Sequence, residues 1–175
     1  MKKIKDILII GLLLFAVSSC GKEEEKYTIP AAPVQFFIYP NSFDNHLMGG
    51  GNIGIYLKNQ QDKENYDKLV ADIKEVKTYI GIRAGLPSYL GYSGLMVVNT
   101  TLSDAPYVVF DLCCPHEDMV NIRIVPTNEG TVKCPECGSV YDIFTGVRKS
   151  GVTKENLQSY RIVNDDGTRY RIFYP

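Results

Sequence analysis

The chain has 175 residues, of which 45% are hydrophobic and 22% are charged, and its formal net charge is −1. This composition is typical of a folded domain rather than of a disordered segment, and the length suffices for one domain or a small pair. A net charge close to zero argues against the basic surface of nucleic-acid-binding proteins, so we expect no nucleic acid partner. No apolar run reaches the ~18 residues that a membrane-spanning helix needs.

The beginning of the chain is typical of a secretory signal peptide. Lys2, Lys3 and Lys5 precede an apolar run, Ile7–Val17, which only Gly11 interrupts. A basic start, a short apolar core and small residues before a cleavage site are the features of such a peptide. We therefore assign residues 1–19 to a signal peptide.

The four residues Val17-Ser18-Ser19-Cys20 resemble a bacterial lipobox, in which a peptidase cleaves before the cysteine and lipid is attached to its sulfur. The resemblance implies a membrane anchor on Cys20. Several acyl chains on one residue bind a membrane firmly, because each buried CH₂ contributes about 0.8 kcal/mol. Residues 20–29 then form an acidic tether, because a charged run cannot bury itself. Gly21–Lys26 also resembles the signal that directs lipoproteins of the Bacteroidetes group to the outer cell surface. We expect an outer-membrane lipoprotein, on the periplasmic face or on the cell surface.

Short apolar runs separated by turn residues predict a mainly antiparallel β fold over residues 30–175. The predicted strands are Val34–Tyr39, Leu95–Asn99, Tyr107–Leu112, Ile122–Val125 with Val132, and Tyr160–Val163 with Tyr170–Tyr174. The last two pairs are predicted hairpins, closed around residues 128–130 and 165–167. Helical spacing of apolar residues predicts one helix from Lys63 to Tyr79, with Asp62 as its N-cap. His46 has no cysteine at ligand spacing, and we interpret it as a surface histidine.

Two short pairs of potential metal ligands are the most informative feature of the sequence. Cys114-Pro115-His116 supplies one pair and Cys134-Pro135-Glu136-Cys137 supplies the other, with seventeen residues between His116 and Cys134. A pair that is local in the chain fixes two ligands on one turn, and the hairpin between the pairs brings the turns together. Cys-Pro-x-Cys-Gly is a metal knuckle found in zinc ribbons and in iron–sulfur proteins.

These pairs resemble the two ligand boxes of the Rieske family. Cys114-Pro115-His116 matches the first box, Cys-x-His, and the segment from Cys134 to Ser139 follows the second. The residues that continue the second box in register are Tyr141, Asp142, Thr145 and Gly146. The resemblance covers residues 94–174. It implies an antiparallel β-sandwich or barrel with room for one inserted helix, and a small two-loop subdomain within about residues 107–147 that binds a 2Fe–2S cluster.

The second box departs from the family, because Cys137 stands where the family has a histidine. By analogy, Cys114 and Cys134 would bind one iron, and His116 and Cys137 would bind the other. Three cysteines and one histidine are also a standard zinc site, so a single zinc ion is an alternative. A third alternative is a site without metal, in which Cys134 is oxidised with Cys137 or with Cys113.

The resemblance also assigns roles outside the ligand set. Ser139 and Tyr141 occupy positions whose hydroxyls, in the family, donate hydrogen bonds to a bridging sulfide and to a cysteine sulfur and tune the cluster. Met119 and Glu136 stand where high-potential members have a disulfide, so this chain resembles the ferredoxin-like branch. Cys113 lies outside the Cys-x-His box. It is either a buried apolar residue or a substitute for the preferred ligand Cys114, which alone keeps the Cys-x-His spacing.

The resemblance implies an electron-transfer lipoprotein that exchanges electrons with a redox partner protein. The sequence shows no Ser-His-Asp arrangement, phosphate-binding loop or paired catalytic carboxylates, so we expect a carrier or accessory protein rather than an enzyme. The alternative is a non-redox binding or structural module of an outer-membrane lipoprotein, with zinc or no metal in the same site.

Overall fold

The computed structural model describes residues 27–174 of the chain. The predicted signal peptide and the predicted lipid-bearing Cys20 lie outside the described residues. The described end of the tether lies against the domain, since Ile29 is buried and the Tyr27 ring stacks on Tyr174 with centroids 4.3 Å apart. In the part that is described, no helix has the length and apolar character needed to cross a membrane.

The domain is mainly β, as predicted, with twelve strands and one α-helix among the described residues. The strands are β1 (Val34–Ile38), β2 (Ile53–Leu57), β3 (Val76–Ile80), β4 (Tyr89–Leu90), β5 (Leu95–Asn99), β6 (Tyr107–Asp111), β7 (Val125–Pro126), β8 (Thr131–Lys133), β9 (Val140–Asp142), β10 (Arg148–Ser150), β11 (Ser159–Asn164) and β12 (Tyr170–Phe173). Helix α1 spans Gln60–Leu69, and a 3₁₀ turn spans Asn45–Met48.

Eight strands form one curled sheet, a half-barrel with the order β3-β2-β5-β6-β11-β12-β1-β4. Its neighbouring strands are antiparallel except for β2 and β3, which are parallel and are connected by α1. A parallel pair needs such a crossover, because its strands run in the same direction. A second, small antiparallel sheet has the order β10-β9-β8-β7 and follows β6 in the chain.

The predicted strands β1, β5 and β6 and the two predicted hairpins are confirmed. The first hairpin pairs Val125 with Lys133, although β7 begins at Val125 rather than at Ile122. The second pairs Asn164 with Tyr170 across its turn. Strand β2 was not predicted. All five of its residues are buried, so it lacks the alternation of a strand with one exposed face.

The predicted helix Lys63–Tyr79 is wrong at both ends. The N-cap is Asn59, whose side chain accepts a hydrogen bond from the backbone N–H of Asp62 at 2.8 Å. The helix ends at Leu69, and its predicted second half contains strand β3 instead. Three of the five β3 residues are β-branched, which favours a strand, and pairing along β2 satisfies their backbone groups. Apolar spacing alone does not distinguish one long helix from a shorter helix followed by a strand.

Two apolar clusters pack on opposite faces of the large sheet. Along β5, Met96 and Val98 belong to one cluster, whereas Leu95 and Val97 belong to the other, as alternation along a strand requires. The first cluster also contains Tyr66 of α1 and residues of the small sheet. Three residues of the predicted metal site belong to this first cluster: Cys114, Cys134 and Tyr141.

Candidate metal centre

Loop 1, residues 112–124, leaves the end of β6 and carries the first ligand pair. The buried Asp111 carboxylate accepts hydrogen bonds from the Cys113 backbone N–H at 2.8 Å, from the Tyr160 hydroxyl at 2.8 Å, and from the N–H groups of Tyr92 and Ser93. Burial raises the pKa of Asp111, whereas these four donors favour its charged form. After this anchor, the Cys114 carbonyl accepts hydrogen bonds from the backbone N–H groups three and four residues further along the chain, at residues 117 and 118. The result is a tight turn that starts at Cys114.

Loop 2, residues 134–139, joins β8 to β9 and carries the second ligand pair. The Cys134 N–H donates to the Ser139 carbonyl at 2.9 Å, and the Gly138 N–H donates to the Cys134 carbonyl at 3.1 Å. Gly138 has φ +70°, a backbone conformation that side chains other than glycine's rarely adopt. These bonds close the knuckle and hold both of its cysteines on one turn.

The two loops bring three thiols together. The Sγ atoms of Cys114, Cys134 and Cys137 all lie within 4.8 Å of one another, so the group could hold a metal ion. The Sγ atoms of Cys114 and Cys137 lie 3.7 Å apart across the two loops. Cys114 and Cys134 are buried, whereas Cys137 is partly exposed. Thus one edge of the group faces outward and two of its sulfurs face the apolar core.

The surroundings of the thiols differ. Burial raises the pKa of Cys134 to about 12. Burial also acts to raise the pKa of Cys137, but hydrogen bonds with Ser139 and the neighbouring thiols outweigh it and lower that pKa. The surroundings therefore favour the thiolate of Cys137 more than that of Cys134.

The other predicted or alternative ligands lie outside the three-thiol group. His116 is exposed on loop 1, two residues after Cys114. Cys113 is buried, and its Sγ lies 3.5 Å from the Cys114 carbonyl and 3.7 Å from the Met119 carbonyl. Burial raises the pKa of Cys113 to about 12. His46, interpreted as a surface residue, is half-buried and bonds through Nε2 to a backbone carbonyl.

Two buried hydroxyls contact the thiols. The Ser139 Oγ lies 3.2 Å from the Cys137 Sγ, and the Tyr141 hydroxyl lies 3.6 Å from the Cys114 Sγ. Both are the residues to which the family resemblance assigns a tuning role. Their partners here are cysteine sulfurs in both cases.

Thr153 belongs to the same network and was not predicted from the sequence. Its backbone N–H donates to the Ser139 Oγ at 3.2 Å, and its hydroxyl donates to the Glu155 carbonyl at 3.4 Å. It lies fourteen residues beyond Ser139, outside both ligand boxes, so no spacing rule indicates it. The nearby Gly151 is the one sequence feature that fits this close approach. A Cβ at that position would lie 2.4 Å from the Ser139 Cα.

The chain matches no family model, and comparisons with curated proteins and with solved structures found no match. The family resemblance therefore depends on the ligand boxes, and the evidence for a metal centre is the convergence of the three thiols.

Proposed function

We propose that this chain is a membrane-anchored electron-transfer protein whose metal centre is held between loop 1 and loop 2. The observation that carries the proposal is the convergence of Cys114, Cys134 and Cys137 from two separate turns. Thiolates are ligands for iron, iron–sulfur clusters and zinc, whereas packing of the apolar core alone does not require three of them at one point.

A 2Fe–2S cluster is the centre that the ligand boxes favour. Cys114 and Cys134 would hold one iron, and Cys137 and His116 would hold the other. When bound, the cluster supplies one-electron transfer. His116 is exposed on the same loop as Cys114, so it would provide the edge at which a redox partner approaches. The lipid on Cys20 would keep the domain at the membrane where that partner lies.

A single metal ion in a structural module is the second candidate, and one distance favours it. With metal–sulfur bonds of about 2.3 Å, two thiolates on one tetrahedral zinc ion lie about 3.8 Å apart. The Cys114 and Cys137 sulfurs are 3.7 Å apart. Ligands on different irons of a cluster lie farther apart, because the irons and bridging sulfides stand between them. The spacing therefore fits one shared ion better than it fits the division of these two cysteines between two irons.

Metal analysis separates the two candidates. The full chain with Cys20→Ser is purified without oxygen, and its iron, zinc and acid-labile sulfide contents are measured together with its absorption between about 300 and 600 nm. Two irons and two sulfides per chain in a coloured protein support the electron carrier. One zinc ion in a colourless protein supports the structural module. A protein that binds neither metal refutes both.

If the cluster is present, its midpoint potential provides a second test. Rieske centres span about −150 to +300 mV, and all-cysteine plant-type clusters lie near −400 mV. Replacing one imidazole by the Cys137 thiolate adds negative charge, so we expect about −350 to −100 mV. Cys137→His should raise the potential. A native midpoint well above 0 mV would contradict the assignment of Cys137 as a ligand.

A further inference from the structure

An open groove lies where the tether enters the domain. Its volume is about 540 Å³, and its lining includes Tyr27, Ala31, Pro33, Gln35, Tyr89 and Tyr174. We call it the tyrosine groove. Ala31 and Pro33 are exposed, and Tyr89 is 55% exposed. Apolar side chains and an aromatic ring therefore face outward beside the tether.

The residues that line the tyrosine groove carry no charge. The chain has no charged residue from Tyr27 to Phe43, and the two groove residues from other segments, Tyr89 and Tyr174, are tyrosines. A tyrosine combines an apolar ring with a polar hydroxyl, so it is enriched at the interface between a membrane and water. The chemistry of the groove therefore fits the headgroup boundary of a bilayer better than it fits a charged ligand.

Hydrogen bonds fix the tyrosine groove to the body of the domain. The Gly91 N–H donates to the Pro33 carbonyl at 3.1 Å, at the end of the β1–β4 pair. The Thr28 N–H donates to the Gln158 side chain at 3.0 Å, and the Gln158 carbonyl accepts from the Asp111 N–H at 2.9 Å. The groove is therefore a rigid part of the domain, next to the carboxylate that positions loop 1.

The tether is short compared with the domain. Residues 21–26 separate Cys20 from Tyr27, and a fully extended chain between these two residues spans at most about 25 Å. A domain of about 150 residues has a radius of gyration of about 15 Å, which is that of a sphere roughly 40 Å across. If the face opposite the groove touched the bilayer, Tyr27 would lie farther from the lipid than this length allows. A domain anchored at Cys20 therefore turns the side that carries the groove toward the membrane.

We propose that the tyrosine groove is a membrane-contact surface, which lies at the lipid headgroups and sets the orientation of the domain on the bilayer. The inference rests on the proposed lipid anchor at Cys20 and identifies the face that the anchored domain turns to the lipid. The occupant of the groove is the bilayer surface rather than a protein.

Single tryptophans test this contact, because the chain contains no tryptophan of its own. Tyr89→Trp places one at the groove. Phe43→Trp is the matched control, since Phe43 is 71% exposed and lies beyond the other end of β1. The lipid-anchored full chain is reconstituted into phosphatidylcholine vesicles, with and without lipids brominated near the headgroups, which quench tryptophan emission on contact. We expect a blue-shifted emission and at least about twofold stronger quenching at residue 89 than at residue 43.

Two further changes test the chemistry of the contact. Ala31→Asp in the Tyr89→Trp background should lower the quenching to that of the control, because a charged group resists leaving water. Ser42→Asp, at an exposed position beyond β1, should leave the quenching unchanged. Adding phosphatidylglycerol to the vesicles should also leave it unchanged, since anionic lipids attract basic segments and the groove is uncharged. If Tyr89→Trp does not fold, Gln35→Trp replaces it, at the exposed position that pairs with Tyr89.

The outcomes separate the contact surface from the anchor. Equally weak quenching at residues 89 and 43, in lipidated chains that the vesicles retain, would overturn the inference and leave the anchor standing. Quenching that requires phosphatidylglycerol would assign the contact to a charged surface instead. A dimer of the Cys20→Ser chain in solution that Ala31→Asp disperses would show that a second copy covers the groove. If Cys20 carries no lipid and the vesicles do not retain the chain, the anchor and the inference both fail.

Discussion

Cys113 and Cys114 are neighbours in the chain, yet a serine substitution should weaken metal binding strongly at Cys114 and hardly at all at Cys113. The Cys114 Sγ lies 3.7 Å from the Cys137 Sγ and belongs to the three-thiol group. The Cys113 Sγ instead faces two backbone carbonyls on loop 1. Cys114→Ser therefore removes one thiol of a group that could hold a metal ion, whereas Cys113→Ser replaces one buried donor by another.

The expected magnitudes follow from this difference. Structural zinc sites in peptides bind with about 10–16 kcal/mol at neutral pH, so one of four ligands accounts for roughly 2.5–4 kcal/mol. Since about 1.4 kcal/mol is a factor of ten, Cys114→Ser should weaken binding about 10²- to 10³-fold. Cys113→Ser should change metal affinity less than about threefold and cost about 1 kcal/mol of folding stability, because its hydroxyl can donate to the same carbonyls.

The assay is metal content after purification, followed by affinity from chelator competition. Cys134→Ser and Cys137→Ser serve as positive controls, since both should lose metal as Cys114→Ser does. Loss of metal in Cys113→Ser with retention in Cys114→Ser would show that Cys113 is the ligand. An equal loss in both variants would show that serine disrupts the turn of loop 1 rather than the ligand set.

Two further predictions concern the fold and the anchor. Tyr66 of α1 donates its hydroxyl proton to the buried Ile124 carbonyl at 2.7 Å, so Tyr66→Phe should cost about 1–3 kcal/mol and lower the melting temperature by about 2–4 °C for each kcal/mol. Tyr89→Phe, at an exposed tyrosine, is the control, and equal melting temperatures for the two variants would contradict the reasoning. Cys20→Ser should abolish lipidation and give either a soluble or an uncleaved protein. Mass spectrometry that finds unmodified Cys20 in membrane-bound protein would rule the anchor out.

Much of the architecture follows from local chemistry along the chain. Turn residues predicted both hairpins correctly, because the glycine in each turn adopts the positive φ that a tight turn needs, +68° at Gly130 and +83° at Gly167. Residues 95–99 were predicted as a strand with the bounds that the structure has, since a short run of apolar residues favours one. The cysteine pair at 134 and 137 is local in the same way, because one knuckle fixes both thiols without help from distant parts of the chain.

Only the tertiary structure decided the features that depend on partners far away in sequence. Residues 76–80 extend because β2 offers a parallel edge, which apolar spacing cannot reveal. In loop 1 the Cys113 N–H donates a hydrogen bond to the Asp111 carboxylate, and the Cys114 side chain, rather than that of Cys113, contacts loop 2. The Thr153 backbone N–H donates to the Ser139 Oγ, fourteen residues earlier in the chain, and no sequence motif predicts this hydrogen bond. Each of these outcomes depends on packing and hydrogen bonds between segments that are distant in sequence and come together only in the folded sheet. A short stretch of sequence therefore does not predict them.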